Sequence, residues 1–385
     1  MWTLRPWLFG TLALVACGGE SKKHPAEPVL VGAAGSDSGA TAECAPDTAD
    51  CNLDPADGCE VNLARDGDHC GACDVGCGMA VCVGGQCGVE PILLADGQPG
   101  IASMATEGGT LFWANWTDGR VVAMSIGEGQ VSEPVVRARV PEFSVEGMAI
   151  DEDAVFIASN TTAGGGGGIL RVPKIDGALE RLVPDVGVSG VALGADYVYW
   201  TRSSETQIGA WTGAVLRAAK DGAGVATLAN VPGLSLASDE DALYFAEPGA
   251  AGIERLALDV SASNSAGAPA ALGPVELVHS AAIPYGVKIS DGQVYWADDT
   301  GLFRVPREGG PSEALALSSG PSESGDFTVD GDAIYYAVGG EITRVEGGVS
   351  TPIARIHGTV GGIVKVGGYL YWGNFNEGSV WRIAL

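Results

Sequence analysis

From residue 91 to residue 385, apolar and polar residues alternate in runs of four to six, broken by Gly, Asp, Asn and Pro. A period of two with Val, Ile, Tyr and Trp enrichment predicts strands, and the breaks predict turns. The pattern peaks in seven aromatic runs: Leu111–Trp113, Val155–Ile157, Val198–Trp200, Leu243–Phe245, Val294–Trp296, Ile334–Tyr336 and Leu370–Trp372. Their last residues lie 44, 43, 45, 51, 40 and 36 positions apart. A recurring unit of that length signals a repeat architecture, and its β content excludes helical repeats.

Each unit parses into four strands. In the fifth, Tyr285–Ile289 is innermost, followed by Gln293–Ala297, Leu302–Val305 and Glu313–Ala316, with turns at Asp291–Gly292, Asp298–Gly301 and Arg307–Gly310. The seventh unit has its third strand at Ser379–Ile383 and nothing after Leu385 to serve as a fourth. The stretch Ile92–Ala95 stands alone before the first unit and matches the outer strands of the others. One missing strand and one spare strand predict a ring closed like a clasp, which removes the free edges of an open sheet array. The expected fold is therefore all-β: a seven-bladed β-propeller of four-stranded antiparallel blades over residues 91–385, with six or eight blades as alternatives. The tetrads ending in Asn115, Arg202 and Asp298 (Phe-Trp-Ala-Asn, Tyr-Trp-Thr-Arg, Tyr-Trp-Ala-Asp) resemble the YWTD-type propeller repeat and, more loosely, NHL-like propellers. YWTD proteins usually close with six blades, one fewer than the aromatic runs present here. The aromatic residues of these tetrads are expected to fill the wedges between blades.

The N-terminus changes the picture from a bare ring to an exported protein. Arg5 precedes an apolar run from Trp7 to Ala16. That run is shorter than the roughly 20 residues a spanning helix needs and fits a signal peptide over 1–16. Leu14-Val15-Ala16-Cys17 resembles the bacterial lipobox, which implies cleavage before Cys17 and acylation of its sulfur and amine. Several acyl chains together give a stable membrane anchor. Gly18 after the cysteine is similar to outer-membrane sorting signals. Residues 17–42 are small, polar and rich in Pro and Gly, the composition of a flexible tether.

Residues 43–90 hold Cys44, Cys51, Cys59, Cys70, Cys73, Cys77, Cys82 and Cys87, and no cysteine follows. An even count in a short exported segment reads as a disulfide module, since so small a unit lacks a sufficient core. Eight cysteines allow 105 pairings, and spacing does not choose among them. Two rival readings attach to this segment. His69 with Cys70, Cys73 and Cys77 has zinc-like spacing. Asp54, Asp57, Gly58 and Glu60 have the alternating oxygens of a calcium loop without its full pattern, and the plainer reading is an Asp-Gly turn. No metal is assigned from sequence. The whole segment resembles a cysteine-rich module that precedes repeat domains in bacterial surface lipoproteins, a resemblance that implies location and architecture without chemistry.

The net charge of −27 opposes nucleic acid and anionic headgroups. Catalytic signals are sparse. The propeller carries two histidines, His279 and His357, and no haem, nucleophile-elbow or zincin motif appears. Seven-bladed lyases acting on cyclic peptides use a histidine base, and His357 is the candidate nearest the expected axis. No cofactor is implied. Decorations at Gly164–Gly168, Ser203–Gly213 and Asp259–Pro274, with Trp116 and Trp211 as candidate ligand contacts, point to recognition by loops on a rigid scaffold. The expectation is a lipid-anchored envelope protein that binds a protein, peptide or glycan through one propeller face. A lyase or hydrolase at the channel and a structural envelope component are the alternatives.

Overall fold

The computed structural model describes residues 44–385 apart from residue 55 and residues 128–129, 141–144, 161–166, 176, 259–273, 281, 318–325 and 339. The signal segment, Cys17, the tether, and most of the 164–168 and 259–274 decorations lie outside the described residues. Within them the chain is all strand and turn, with no helix. Among the described residues no helix is long and apolar enough to cross a membrane.

Seven sheets of four antiparallel strands form the ring. Blade 1 comprises Ile101–Glu107, Thr110–Asn115, Arg120–Ser125 and Val135–Arg139; blade 2, Val145–Ile150, Ala154–Ser159, Gly168–Pro173 and Glu180–Pro184. Blade 3 comprises Val188–Leu193, Tyr197–Gln207, Ala210–Ala219 and Ala226–Ala229; blade 4, Leu236–Ser238, Ala242–Glu247, Gly252–Ala257 and Val275–His279. Blade 5 comprises Tyr285–Ser290, Gln293–Asp298, Gly301–Pro306 and Glu313–Leu317; blade 6, Phe327–Asp330, Ala333–Val338, Glu341–Glu346 and Val349–Arg355. Blade 7 takes Val360–Val366, Tyr369–Asn374 and Ser379–Ala384 from the C-terminal end and Ile92–Ala95 from before blade 1.

The clasp is a true outer strand by an internal criterion. In every blade the ladder between third and outer strand slips by one residue at the same place, as between Val121/Val122, Ile169/Leu170 and Leu302/Phe303. Ile92–Ala95 reproduces that slip between Val380 and Trp381, with Ala95 opposite Val380. Where blades 7 and 1 meet, the inner strands press together: a Cβ on Gly361 would lie 1.6 Å from the Ile101 carbonyl oxygen, so only glycine fits. Two residues join inner and second strands in blades 1, 5, 6 and 7, and three in blades 2, 3 and 4. Asp291 and Gly292, with φ of 48° and 71°, have the two positive values that two-residue hairpins need.

The core consists of seven apolar wedges, one between each pair of neighbouring blades. Alternation along the second strand explains it. Trp113, Trp200, Trp296 and Trp372 face the preceding blade, while Phe112, Tyr199, Tyr295 and Tyr371 one position earlier face the following one. The polar end of the tetrad is architectural as well. Asp298 is fully buried and accepts from the Thr300 N–H at 2.7 Å and from the Thr300 and Ser280 hydroxyls at 2.6 and 2.5 Å.

The disulfide module pairs Cys44–Cys59, Cys51–Cys73, Cys70–Cys82 and Cys77–Cys87. Because Cys70, Cys73 and Cys77 are all oxidised, the zinc reading of that segment is excluded, and His69 Nδ1 instead accepts the Asp74 N–H at 3.0 Å. The module rests on the outer strand of blade 6. Ala80 bridges to Ala354, the Arg355 N–H donates to the Met79 carbonyl at 2.9 Å, and the Arg355 guanidinium meets Asp68 at 2.8 Å. That guanidinium, by hydrogen bond and charge, holds the Asp68 carboxyl below its ordinary range.

Candidate functional site

The two faces of the ring differ in chemistry. On the face bearing the turns between inner and second strands, acids of one blade pair with cations of the next. Glu107 meets Lys174, Asp151 meets Lys220 at 2.8 Å, and Asp239 and Asp241 hold Arg307 at 3.3 and 3.1 Å. Each such pair contributes little alone, and together they tie neighbouring blades across that face.

The opposite face carries the turns between second and third strands and the entries to the inner strands. Trp116 is 44% exposed there, immediately after the second strand of blade 1. Its ring centroid lies 6.2 Å from that of Phe375, which follows the second strand of blade 7. A backbone belt fixes both: the Phe375 N–H donates to Thr359 O at 2.7 Å, the Gly100 N–H to Phe375 O at 3.1 Å, and the Trp116 N–H to Gly100 O at 2.5 Å. Asn374 Oδ1 braces the turn by accepting the N–H groups of Asn376 and Glu377 at 3.1 and 3.2 Å. Phe375 was not singled out from sequence, yet a signal existed: Asn115-Trp-Thr-Asp-Gly119 and Asn374-Phe-Asn-Glu-Gly378 share one pattern of Asn, aromatic, spacer, acid, Gly.

Trp211 lies on the same face but not in a loop. The stretch expected as the Ser203–Gly213 loop is a continuation of the hairpin, with Ser203 opposite Gly213 and Glu205 opposite Trp211. The inner strand of blade 3 ends its pairing at Arg202 and the outer strand at Val215, so the ribbon extends past the blade. Ile208 at its tip is fully exposed and Trp211 is half-buried. The alternation of Ser, Thr and Glu with few apolar residues concealed this strand, because a ribbon without a buried face lacks the hydrophobic period.

The central channel has a volume of about 660 Å³ and is lined in part by Ser103, Glu146, Ser189, Ser235, Lys288 and Asp326. Several of these groups stitch neighbouring inner strands. Ser235 Oγ accepts the Val287 N–H at 2.9 Å, Ser238 Oγ donates to Leu193 O at 2.8 Å, and Asp326 accepts the Ile363 N–H at 3.0 Å while pairing with Lys288 at 3.1 Å. Two carboxylates, Glu146 and Asp326, and no histidine line it among the described residues. His357, expected nearest the axis, is instead exposed beside the module, close enough for its charge to act on Asp68. The loop entering blade 7 turns it outward. His279 ends the outer strand of blade 4, at the rim of the ring.

One acid is poorly accommodated. Glu254 on the third strand of blade 4 is 8% exposed and stands directly opposite Glu276. Burial, with Glu276 and Glu247 adding to it, pushes its carboxyl above the ordinary range. A carboxyl with a raised folded value contributes most stability below its unfolded value and loses it as pH rises through the folded one. Glu254→Gln should therefore raise the urea midpoint at pH 8, on the order of 1 kcal/mol or less, the scale of a cross-strand like-charge pair. The gain should shrink toward pH 4, and a gain independent of pH would contradict the assignment.

No protein-family model matches the chain, and no curated protein is similar to it. Solved structures share the fold. A computationally designed protein, Ika8, is similar with a TM-score of 0.53 at 14% identity, covering 77% of this chain and all of that one. The extracellular domain of a hybrid two component system from B. thetaiotaomicron is similar with a TM-score of 0.55 at 10% identity, covering 76% of this chain and 39% of that longer one. At such identities the likeness defines the class, a β-propeller, and nothing narrower.

Proposed function

We propose that this protein is a membrane-anchored, non-enzymatic binding or scaffold lipoprotein that recognises a protein, peptide or glycan through the face bearing Trp116 and Phe375. The observation carrying this reading is the exposed Trp116 ring beside the half-buried Phe375, held by a backbone belt on one face, while the other face carries inter-blade ion pairs. Exposed aromatics on a rigid frame suit recognition because they bring large contact area at low entropic cost. The polar groups of the channel wall that bond between strands support a structural role there rather than a catalytic one. In this reading acyl chains on Cys17 hold the ring at the cell envelope, on the outer membrane, and residues 17–42 give it reach.

Photo-crosslinking on intact cells tests the face. The partner captured by the wild type should be lost, or its affinity weakened at least about tenfold, in a Trp116→Ala/Phe375→Ala variant. It should be unchanged in Ile175→Ala on the opposite face, where Ile175 is 97% exposed. Equal capture by all three proteins would refute the assignment. Separately, Cys17→Ser should move the protein from the membrane fraction to the soluble one, and persistence in the membrane would remove the lipid anchor from this account.

A further inference from the structure

The disulfide module docks on blade 6 through an edge that recurs once more in the ring. Ala80 bridges to Ala354, and the Arg355 N–H donates to the Met79 carbonyl at 2.9 Å. The Arg355 guanidinium reaches Asp68 at 2.8 Å and the Gly78 carbonyl at 3.3 Å. The docked segment thus supplies a small residue against a buried alanine, a carbonyl for an outward N–H, and a carboxylate for a guanidinium.

Blade 1 carries the same edge. Ala138-Arg139-Val140 occupies the register of Ala354-Arg355-Ile356. Ala138 stands opposite Val121 and Arg139 opposite Arg120, as Ala354 stands opposite Ile342 and Arg355 opposite Glu341. The N–H that follows turns inward in both blades: Val140 donates to Gly119 O at 2.7 Å and Ile356 to Gly340 O at 2.8 Å. Those bonds flank a non-hydrogen-bonded pair, so the N–H of Arg139 points off the sheet edge, as that of Arg355 does. In the other five blades this position holds Pro184, Asn230, His279, Leu317 and Asp96, and no arginine.

The two edges differ in occupancy. The blade 6 edge carries the module, whereas on blade 1 Arg139 is exposed and has no ion pair among the described residues. Val135 and Val136 on the same strand are 48% and 45% exposed. The strand Val135–Arg139 contains two arginines and no acid, in a chain whose net charge is −27. Positive charge on a strand edge repels other basic edges and admits acidic ones. We propose that the outer edge of blade 1 is a strand-addition site for an extended acidic segment of a partner protein. Backbone bonds supply the affinity of such an addition, and side chains select the partner. Here the selecting group is the Arg139 guanidinium, which takes a carboxylate as Arg355 takes Asp68, and the two valines offer apolar contact. The site lies on the rim of the ring and is independent of the face bearing Trp116.

The test is fluorescence anisotropy of the full chain with a labelled peptide, Asp-Asp-Met-Ala-Val, whose last three residues copy Met79–Val81. Saturable binding is expected. Arg139→Glu should weaken it at least about tenfold, the cost of reversing a charge in a close pair, while leaving the urea midpoint in place because the side chain is exposed. A peptide with lysines in place of the aspartates should not bind, nor should one N-methylated along its backbone, which keeps the charge and loses the strand bonds. Hydrogen exchange on the wild type is the measurement that needs no variant: the acidic peptide should slow amide exchange within residues 135–140 and on no other outer strand. Absence of saturable binding, equal affinity in Arg139→Glu, or protection of a different outer strand would each overturn the site. A wild type that sediments as a dimer, with Arg139→Glu a monomer, would assign the edge to a second copy of this chain and overturn the acidic partner.

Discussion

Trp372→Ala is expected to lower the unfolding free energy by about 3–5 kcal/mol, the range for emptying a large aromatic from a packed core. Trp372 is fully buried, and its indole fills the wedge between blades 6 and 7 against Tyr335, Ile342, Val360 and Ile383. A sheet wedge cannot collapse around a missing ring without moving a whole blade, so little relaxation offsets the cavity. Blade 7 is also the blade that joins the first and last strands of the propeller, which spreads the loss to the closure itself. Trp372→Phe separates volume from polarity. The indole N–H has no acceptor among the described residues, so phenylalanine removes an orphan donor along with part of the ring. Its cost should be less than half that of alanine. Urea denaturation of the three proteins measures both numbers, and an alanine variant within 1 kcal/mol of wild type would show that the wedge is not packed as described.

Ala95→Asp should destabilise by about 3 kcal/mol or more and leave a protein that self-associates, because it strikes the clasp at its one buried position. Ala95 is 7% exposed and packs with Trp113, Tyr371 and Val380. The corresponding outer-strand residue is small or β-branched in every blade: Ala138, Val183, Ala229, Val278, Ala316 and Ala354. A carboxylate there meets apolar wall with no donor to satisfy it, and burying such a group costs several kcal/mol. The strand can avoid that only by detaching, which exposes the edge of Ser379–Ala384 to other chains. Leu93→Asp is the control on the same strand. Leu93 is 47% exposed, so its replacement should change the midpoint little. Chromatographic size and urea midpoints decide the matter, and equal behaviour of the two variants would mean that the ring does not depend on the clasp.

How far these features could be read in advance differs from one to the next. The aromatic runs betrayed seven blades because each is the centre of a doubly buried strand, where both faces must be apolar. The clasp was legible by subtraction, a spare strand at one end and a vacancy at the other. The extended ribbon at Ser203–Gly213 was not, since strands exposed on both sides leave no hydrophobic period. His357 was misplaced for a related reason: a turn residue's direction depends on the module packed beside it, which lies more than 250 residues earlier in the chain.

The amino-acid order alone determined the strand period, the repeat length, the turn positions and the presence of a cross-linked module, because each arises from interactions between residues near in sequence. Tertiary structure decided which cysteines pair, that Phe375 joins Trp116, that much of the channel's polarity is used between strands, and that the module takes the outer edge of blade 6. Those are meetings between distant segments. Their energies depend on the closed ring and the bridged module, and no local pattern records them.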